Sequence, residues 1–382
     1  MYTLLTIIGA RPQIIKAAAL SRAIRKSFSD QIAEKILHTG QHYDANMSDV
    51  FFSEMDIPNP DYNLHVGSGS HGVQTAKMIE GIEAVLLNEH FDGVVLYGDT
   101  NSTLAGAVAA SKLNVPVFHI EAGLRSFNMT MPEEINRIVC DHISSLLFVP
   151  TKTGIANLKN EGFEKVKCHF LNGRGRSVYL SGDIMYDNSL YYASLVGSKD
   201  DVLRRYALSP NNYVLATIHR NNNTDSSERL SSIISALLEI AGSFKERIII
   251  PLHPRTSKLL QKMLSHGLFD ALLGCEYITL AAPASYLEMV ELEKNAKLVM
   301  TDSGGVQKEA YYFKKPCVIL RPETEWVEIV EQGVGVLADA DEKRIVEGYR
   351  KMLSTDADYP AIFGDGHSAD FMLRKMVEYM DS

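Results

Sequence analysis

The chain has 382 residues, of which 46% are hydrophobic and 22% charged, with a formal net charge of -9. This is the composition of an ordinary soluble globular enzyme, at a length that one hydrophobic core rarely organises, so two domains are expected. The acidic balance, with a pI near 5.8, argues against nonspecific nucleic-acid binding, which needs a basic footprint. Cys140, Cys168, Cys275 and Cys317 lie far apart with no C-x-x-C pair, which suggests neither a zinc site nor a disulfide framework and fits reduced cytosolic thiols.

Residues 1–8 are apolar and run into a glycine turn without a basic leader, a cleavage site or a membrane-length span, so a cytoplasmic protein with no membrane partner is expected. Short β-branched runs at 4–8, 35–38, 93–97, 115–120 and 146–149 each precede a segment of helical periodicity. Runs unbroken by polar alternation suit strands buried on both faces, so the first half reads as a Rossmann-like, doubly wound α/β sheet. A second series at 213–217, 247–252, 297–301, 317–320 and 335–337 repeats the pattern. The expected organisation is an N-terminal domain over 1–170, a linker at 171–183 containing Asn172-Gly173-Arg174-Gly175-Arg176, and a C-terminal domain over 184–365. A last helix at 366–382, with Phe371, Met372, Met376, Val377 and Met380 at helical spacing, is expected to join the first domain.

In open parallel sheets ligands bind beyond the carboxyl ends of the strands, so two such sheets facing across a cleft would line it with strand-end loops. Gly9-Ala10-Arg11-Pro12-Gln13-Ile14-Ile15-Lys16 follows the first strand; it places Arg11 and Lys16 near a helix N-terminus, a combination suited to a diphosphate or a developing anion. Neither G-x-G-x-x-G nor G-K-[ST] is present, so dinucleotide and P-loop chemistry lose support. Gln41 and His42 follow the second strand. Tyr97-Gly98-Asp99-Thr100-Asn101-Ser102 and His119-Ile120-Glu121 bring two carboxylates to one sheet edge, as general acid–base work requires, with Asn101 or Ser102 expected to cap the next helix. Pro132-Glu133-Glu134 opens a helix, an acidic start that capping alone would also produce.

In the second half, His219-Arg220 and His253-Pro254-Arg255 end two strands, each a histidine beside a base. Thr301-Asp302-Ser303-Gly304-Gly305 is a small-residue turn leading into a helix, where exposed backbone N–H groups suit phosphate, and Glu309 one turn on suits ribose hydroxyls. Arg321 and Glu325 follow the next strand, beside the sole tryptophan, Trp326.

Together these motifs resemble the bacterial non-hydrolysing UDP-N-acetylglucosamine 2-epimerases over nearly the whole chain, with a fold similar to the two-Rossmann-domain GT-B glycosyltransferases. The resemblance implies that Arg11, His219, Ser303, Gly304, Gly305 and Glu309 bind the UDP portion, with Tyr286 stacking on uracil. It implies that Lys16, Asp99, Glu121, Glu133 and Arg137 surround the sugar, with no cofactor and no metal, in a homodimer. Two departures bear on the substrate. The family's His-Arg-x-Glu-Asn reads His219-Arg220-Asn221-Asn222-Asn223 here, and residues 43–49 lack the glutamine-rich patch of members activated by a second substrate molecule. Residues 125–132 and 324–328 look like the branch acting on UDP-2,3-diacetamido-2,3-dideoxyglucuronate. A GT-B glycosyltransferase, a hydrolysing 2-epimerase and a non-catalytic UDP-sugar-binding regulator are the competing readings.

Overall fold

The computed structural model describes residues 1–41, 57–163, 175–195, 202–252 and 254–382. The chain divides into two compact units, Met1–Asn188 with Ala361–Ser382, and Ser189–Pro360.

In the first unit, strands β1 (Tyr2–Ile8), β2 (Ile32–His38), β3 (Tyr62–Asn63), β4 (Gly93–Tyr97), β5 (Val117–Ile120), β6 (Leu146–Val149) and β7 (Ser177–Leu180) are joined by helices between β1 and β2 and from β3 onward. They form a parallel sheet in the order β3-β2-β1-β4-β5-β6-β7. The central strands are buried along their length, as helices on both faces require. Met78, Ile82 and Leu86 of the helix His71–Asn88 pack on Leu5, Ile7, Leu37, Val94 and Leu96. Gly106 lets the helix Asn101–Lys112 approach this layer, since a Cβ there would stand 2.6 Å from Leu96 Cδ2. The C-terminal helix Ser368–Asp381 buries Met372, Leu373, Met376, Tyr379 and Met380, and the Tyr379 ring meets Phe118 edge-on at 5.6 Å.

The second unit repeats the construction. Strands β8 (Val214–Thr217), β9 (Ile248–Pro251), β10 (Ile278–Ala281), β11 (Leu298–Thr301), β12 (Cys317–Ile319) and β13 (Gly335–Leu337) form a parallel sheet in the order β10-β9-β8-β11-β12-β13. Ile233, Leu237 and Ile240 of the helix Ser227–Phe244 pack over Val214, Ile248, Ile250, Leu298 and Met300. Both units are therefore Rossmann-like α/β sheets.

Three strands go beyond those expected from the sequence: β3, β7 and β10, all of them edge strands. An edge strand is only partly buried and so lacks the unbroken apolar run that marks its neighbours; Ser177–Leu180 is half-buried to exposed throughout. The expected linker at 171–183 is corrected accordingly, because its second part is β7 and the first unit continues to Asn188. Residues 164–174, including Cys168 and most of the glycine–arginine stretch, lie outside the described residues, as do 42–56.

Chain order reverses direction once in each sheet. β1 lies between β2 and β4, and β8 between β9 and β11. A crevice opens at such a switch point beyond the strands' carboxyl ends, and ligands of doubly wound sheets bind there. The candidate residues follow those same strands.

Candidate active site

At the first switch point, the turn after β1 is held by Gln13. Its Oε1 accepts the amides of Gly9 (2.9 Å) and Ala10 (3.2 Å), and its Nε2 donates to the Tyr97 carbonyl (2.9 Å) and Thr103 Oγ1 (3.0 Å). The helix begins at Arg11, with Pro12 second. The amides of Gly9 and Ala10 are thus committed to Gln13, and Pro12 has no N–H. What the turn offers an anion is the exposed Arg11 side chain and the helix dipole.

One turn on, the Lys16 ammonium pairs with the Glu121 carboxylate, both side chains largely buried. Glu121 stands at the end of β5 with φ of 73°, a left-handed conformation that a non-glycine residue adopts at a cost. Its amide donates to the Phe148 carbonyl, which fixes the turn. Gly98, at the end of β4, also has positive φ, 62°; a Cβ there would stand 3.2 Å from Lys16 Nζ and 3.3 Å from Glu121 Oε2. The ion pair thus sits directly over the backbone that leads into Asp99.

Asp99 Oδ2 accepts from the Arg137 guanidinium, with Nε at 3.1 Å, and Arg137 Nη1 reaches Glu134 Oε2 at 2.6 Å. Burial alone would lower the Arg137 pKa, but Asp99, Glu134 and Glu121 raise it. Glu134, buried, also accepts the amides of Ser126 (3.0 Å) and Phe127 (2.8 Å). Burial alone would raise its pKa, but these amides and Arg137 hold it below the ordinary carboxylate value. The acidic helix start therefore splits: Glu134 is frame, whereas Glu133, the sugar-side carboxylate of the resemblance, is exposed on the first turn. Asn136 donates to the Asp99 carbonyl at 2.9 Å and completes the cradle.

Gln41 gives its carboxamide oxygen to the frame of the neighbouring turn. It is buried, and its Oε1 accepts the Ser102 amide (3.2 Å) and hydroxyl (2.8 Å). Asn101 and Ser102 do not cap their helix; Thr100 does, accepting from the Thr103 amide. His42 and His253 lie outside the described residues.

At the second switch point the organising residue is Asp302, fully buried at the end of β11. It accepts the amides of His219 and Arg220 at 3.1 Å and Asn223 Nδ2 at 3.0 Å, and it faces His219 Nδ1 at 3.2 Å. About half of the His219 side chain remains exposed. Ser303 caps the helix Gly304–Tyr312, whose first turn carries Gly304 and Gly305, amides with no intrahelical acceptor to meet. A Cβ on Gly304 would lie 3.5 Å from Trp326 Nε1, 3.6 Å from Glu325 Oε2 and 4.0 Å from Arg220 Nη2, so these groups converge on the glycine turn. Arg321 grips Glu325 through two bonds of 2.8 and 2.9 Å. Burial opposes ionisation of Glu325, yet the Arg321 bonds and the Arg220 charge hold its pKa down to about 2. Lys308 lies over the Trp326 ring, 4.2 Å from its centroid.

Tyr286 requires a correction. Its ring is buried and packs edge-on against Tyr192 at 5.4 Å, and its hydroxyl donates to Glu309 Oε1 at 3.5 Å. It positions Glu309 and presents no open face for a base. Asn222, where the family pattern has a carboxylate, is exposed. Asp302, Glu134 and Gln13 hold these turns through backbone amides, Lys308 lies over the Trp326 ring, and sequence reasoning misses all four as site residues. A strand-end acid or an in-helix glutamine carries no mark distinguishing frame from ligand contact.

Each unit thus gathers charged groups at its own switch point: paired carboxylates with Lys16 and Arg137 in the first, and an amide-rich turn with His219, Arg220 and Arg321 in the second. A family profile described as UDP-N-acetylglucosamine 2-epimerase matches residues 25–377. A UDP-N-acetylglucosamine 2-epimerase homolog of Methanococcus maripaludis is 48% identical over 367 residues, 96% of this chain and 97% of that one. The UDP-2,3-diacetamido-2,3-dideoxy-D-glucuronate 2-epimerase of Pseudomonas aeruginosa is 46% identical over 379 residues, 99% of each chain. The crystal structure of Methanocaldococcus jannaschii UDP-GlcNAc 2-epimerase in complex with UDP-GlcNAc and UDP superposes with a TM-score of 0.82 at 41% identity, covering 98% of this chain and 99% of that one. Sequence, fold and site chemistry agree: the chain belongs to the UDP-N-acetylglucosamine 2-epimerase family, isomerases acting on UDP-sugars.

Proposed function

We propose that this enzyme inverts C2 of a UDP-2-acetamido sugar by eliminating UDP and adding it back. C2 of a hexose has no neighbouring carbonyl, so its proton is too weakly acidic for direct removal. As the C1–O bond breaks and UDP leaves with the electron pair, the oxocarbenium-like sugar acidifies C2–H; a carboxylate takes that proton and a glycal with a C1–C2 double bond remains. Return of a proton to the opposite face of C2 and of UDP to C1 gives the epimer. Two proton-transfer groups are needed, and the observation that carries the reading is the pairing of Glu121 and Asp99 at one switch point, each beside its own cation. Glu133, exposed nearby in sequence, is the third carboxylate of the scheme. Arg11, His219, Arg220 and the Ser303-Gly304-Gly305 turn meet the diphosphate, whose developing charge they stabilise electrostatically without metal or nicotinamide; Glu309 meets the ribose.

Incubation with UDP-sugar in deuterated water tests this: the epimerised product should carry deuterium at C2 with UDP still attached. Absence of exchange without an added acceptor sinks the proposal in favour of a glycosyltransferase or a binding protein, and release of free sugar indicates the hydrolysing variant. The favoured substrate is UDP-N-acetylglucosamine. The second reading, UDP-2,3-diacetamido-2,3-dideoxyglucuronate, is supported by 46% identity to an enzyme of that name over both full lengths and by Asn222 in place of a family carboxylate. Both UDP-sugars assayed side by side decide between them. The same reading makes the enzyme a cytoplasmic homodimer supplying surface polysaccharide precursors, including those of lipopolysaccharide.

A further inference from the structure

Beneath the two candidate acid–base residues lies a row of four alternating charges, three of them buried and the fourth, Glu161, at the surface, that the proposed reaction does not use. His119, two residues before Glu121 on β5, is fully buried. Its Nε2 is 2.8 Å from the Gly98 carbonyl oxygen and its Nδ1 is 2.7 Å from Asp141 Oδ1. A carbonyl oxygen can only accept. Asp141 is an acceptor as well: its other oxygen receives the Gly123 amide (3.0 Å) and Arg125 Nη1 (2.7 Å), and although burial alone would raise its pKa, His119 and Arg125 hold it below the ordinary carboxylate value. Both ring nitrogens must therefore donate, and the ring is an imidazolium. Arg125 in turn holds Glu161 through bonds of 2.6 and 2.8 Å.

The row touches backbone at Gly98, immediately before Asp99, and at Gly123, two residues after Glu121. These turns flank both acids, and Gly98 is the residue over which the Lys16–Glu121 pair closes. We infer that His119, backed by Asp141 and Arg125, is a positioning residue for epimerisation that sets the separation of Asp99 from the Lys16–Glu121 pair by donating to the Gly98 carbonyl. The inference rests on the acid–base reading of Glu121 and Asp99. The His119–Gly98 and His119–Asp141 contacts are hydrogen-bonded, buried and charge-compensated, so removing one donor takes away the bond that holds the Gly98 carbonyl.

The test is Asp141→Asn and His119→Gln, with UDP affinity and steady-state C2 deuterium exchange measured on each folded variant. A displaced reacting group costs about 100-fold in turnover for an ångström of misplacement, so kcat should fall by about 10- to 100-fold while KM and UDP affinity stay within about threefold of wild type. Nitrogen-15 spectra of the wild-type ring should show two N–H protons across about pH 6–9. Unchanged kcat in the folded variants, parallel loss of kcat and UDP affinity, or a singly protonated ring would overturn the inference. If neither variant folds, the ring spectrum and Arg125→Lys, which shortens the same row, decide the matter by the same criteria. Exchange that persists in Glu121→Gln would instead refute the acid–base reading itself.

Discussion

The Lys16 ammonium closes on the Glu121 carboxylate across the bare backbone of Gly98, joining the first helix of the chain to the end of β5. The pair is largely buried, so the lysine holds the carboxylate in one orientation. Glu121→Gln keeps the shape and removes one of the two proposed proton-transfer groups. Deuterium exchange at C2 should drop at least about 1,000-fold, while calorimetric titration with UDP gives a wild-type affinity. Lost UDP affinity would make Glu121 a structural residue and reassign its proton-transfer role.

Gly98→Ala probes the same contact from below. Left-handed backbone costs an L-residue about 1–2 kcal/mol, and the new methyl would sit 3.2 Å from Lys16 Nζ and 3.3 Å from Glu121 Oε2. Urea unfolding should show a loss of that size, accompanied by a fall in exchange rate larger than the unfolded fraction explains. Full activity in the folded variant would mean that the pair's position is unimportant.

Tyr286→Phe separates two roles of one ring. A stacking role survives the loss of the hydroxyl, whereas a role in holding Glu309 does not. Removing a hydrogen bond of about 1 kcal/mol should weaken UDP binding by roughly fivefold. An unchanged Kd would return Tyr286 to the uracil.

Asp187 accepts the amides of Ser368 (3.1 Å) and Ala369 (2.8 Å), tying the start of the C-terminal helix to the first unit. Burial, aided by the nearby charge of Asp183, pushes its pKa up to about 6 from 3.8. A carboxyl with a raised folded pKa gives its stability below the unfolded value and loses it as pH rises through the folded one. The loss is about 3 kcal/mol at neutral pH. Asp187→Asn mimics the neutral form, so its melting temperature should gain on wild type as pH climbs from about 4 to about 7. A difference that does not vary with pH would contradict the shift.

How much of this was legible in the sequence follows from burial. Strands such as Gly93–Tyr97 are covered on both faces, and their unbroken apolar runs announce them; Ser177–Leu180 and Ile278–Ala281 sit at sheet edges, half-covered, and do not. Strand-end reasoning and the resemblance single out Lys16, Asp99, Glu121 and Arg137, and these side chains lie together. Sequence could not sort side chains within the strand-end turns. Glu133 and Glu134 are chemically identical neighbours, and only the helix's rotation makes one exposed and the other a buried acceptor of two amides. Gln41 and Tyr286 look like ligand contacts because they are polar and near a site, yet the Gln41 carboxamide oxygen and the Tyr286 hydroxyl each bond to another residue of the protein.

Gln13 carries a consequence for binding. With one carboxamide it joins the turn after β1, its own helix and the end of β4. The loop bearing Arg11 therefore has its shape before any ligand arrives. An anion docking there need not impose order on the backbone, so affinity at this corner should depend more on ionic strength than on the cost of ordering the loop.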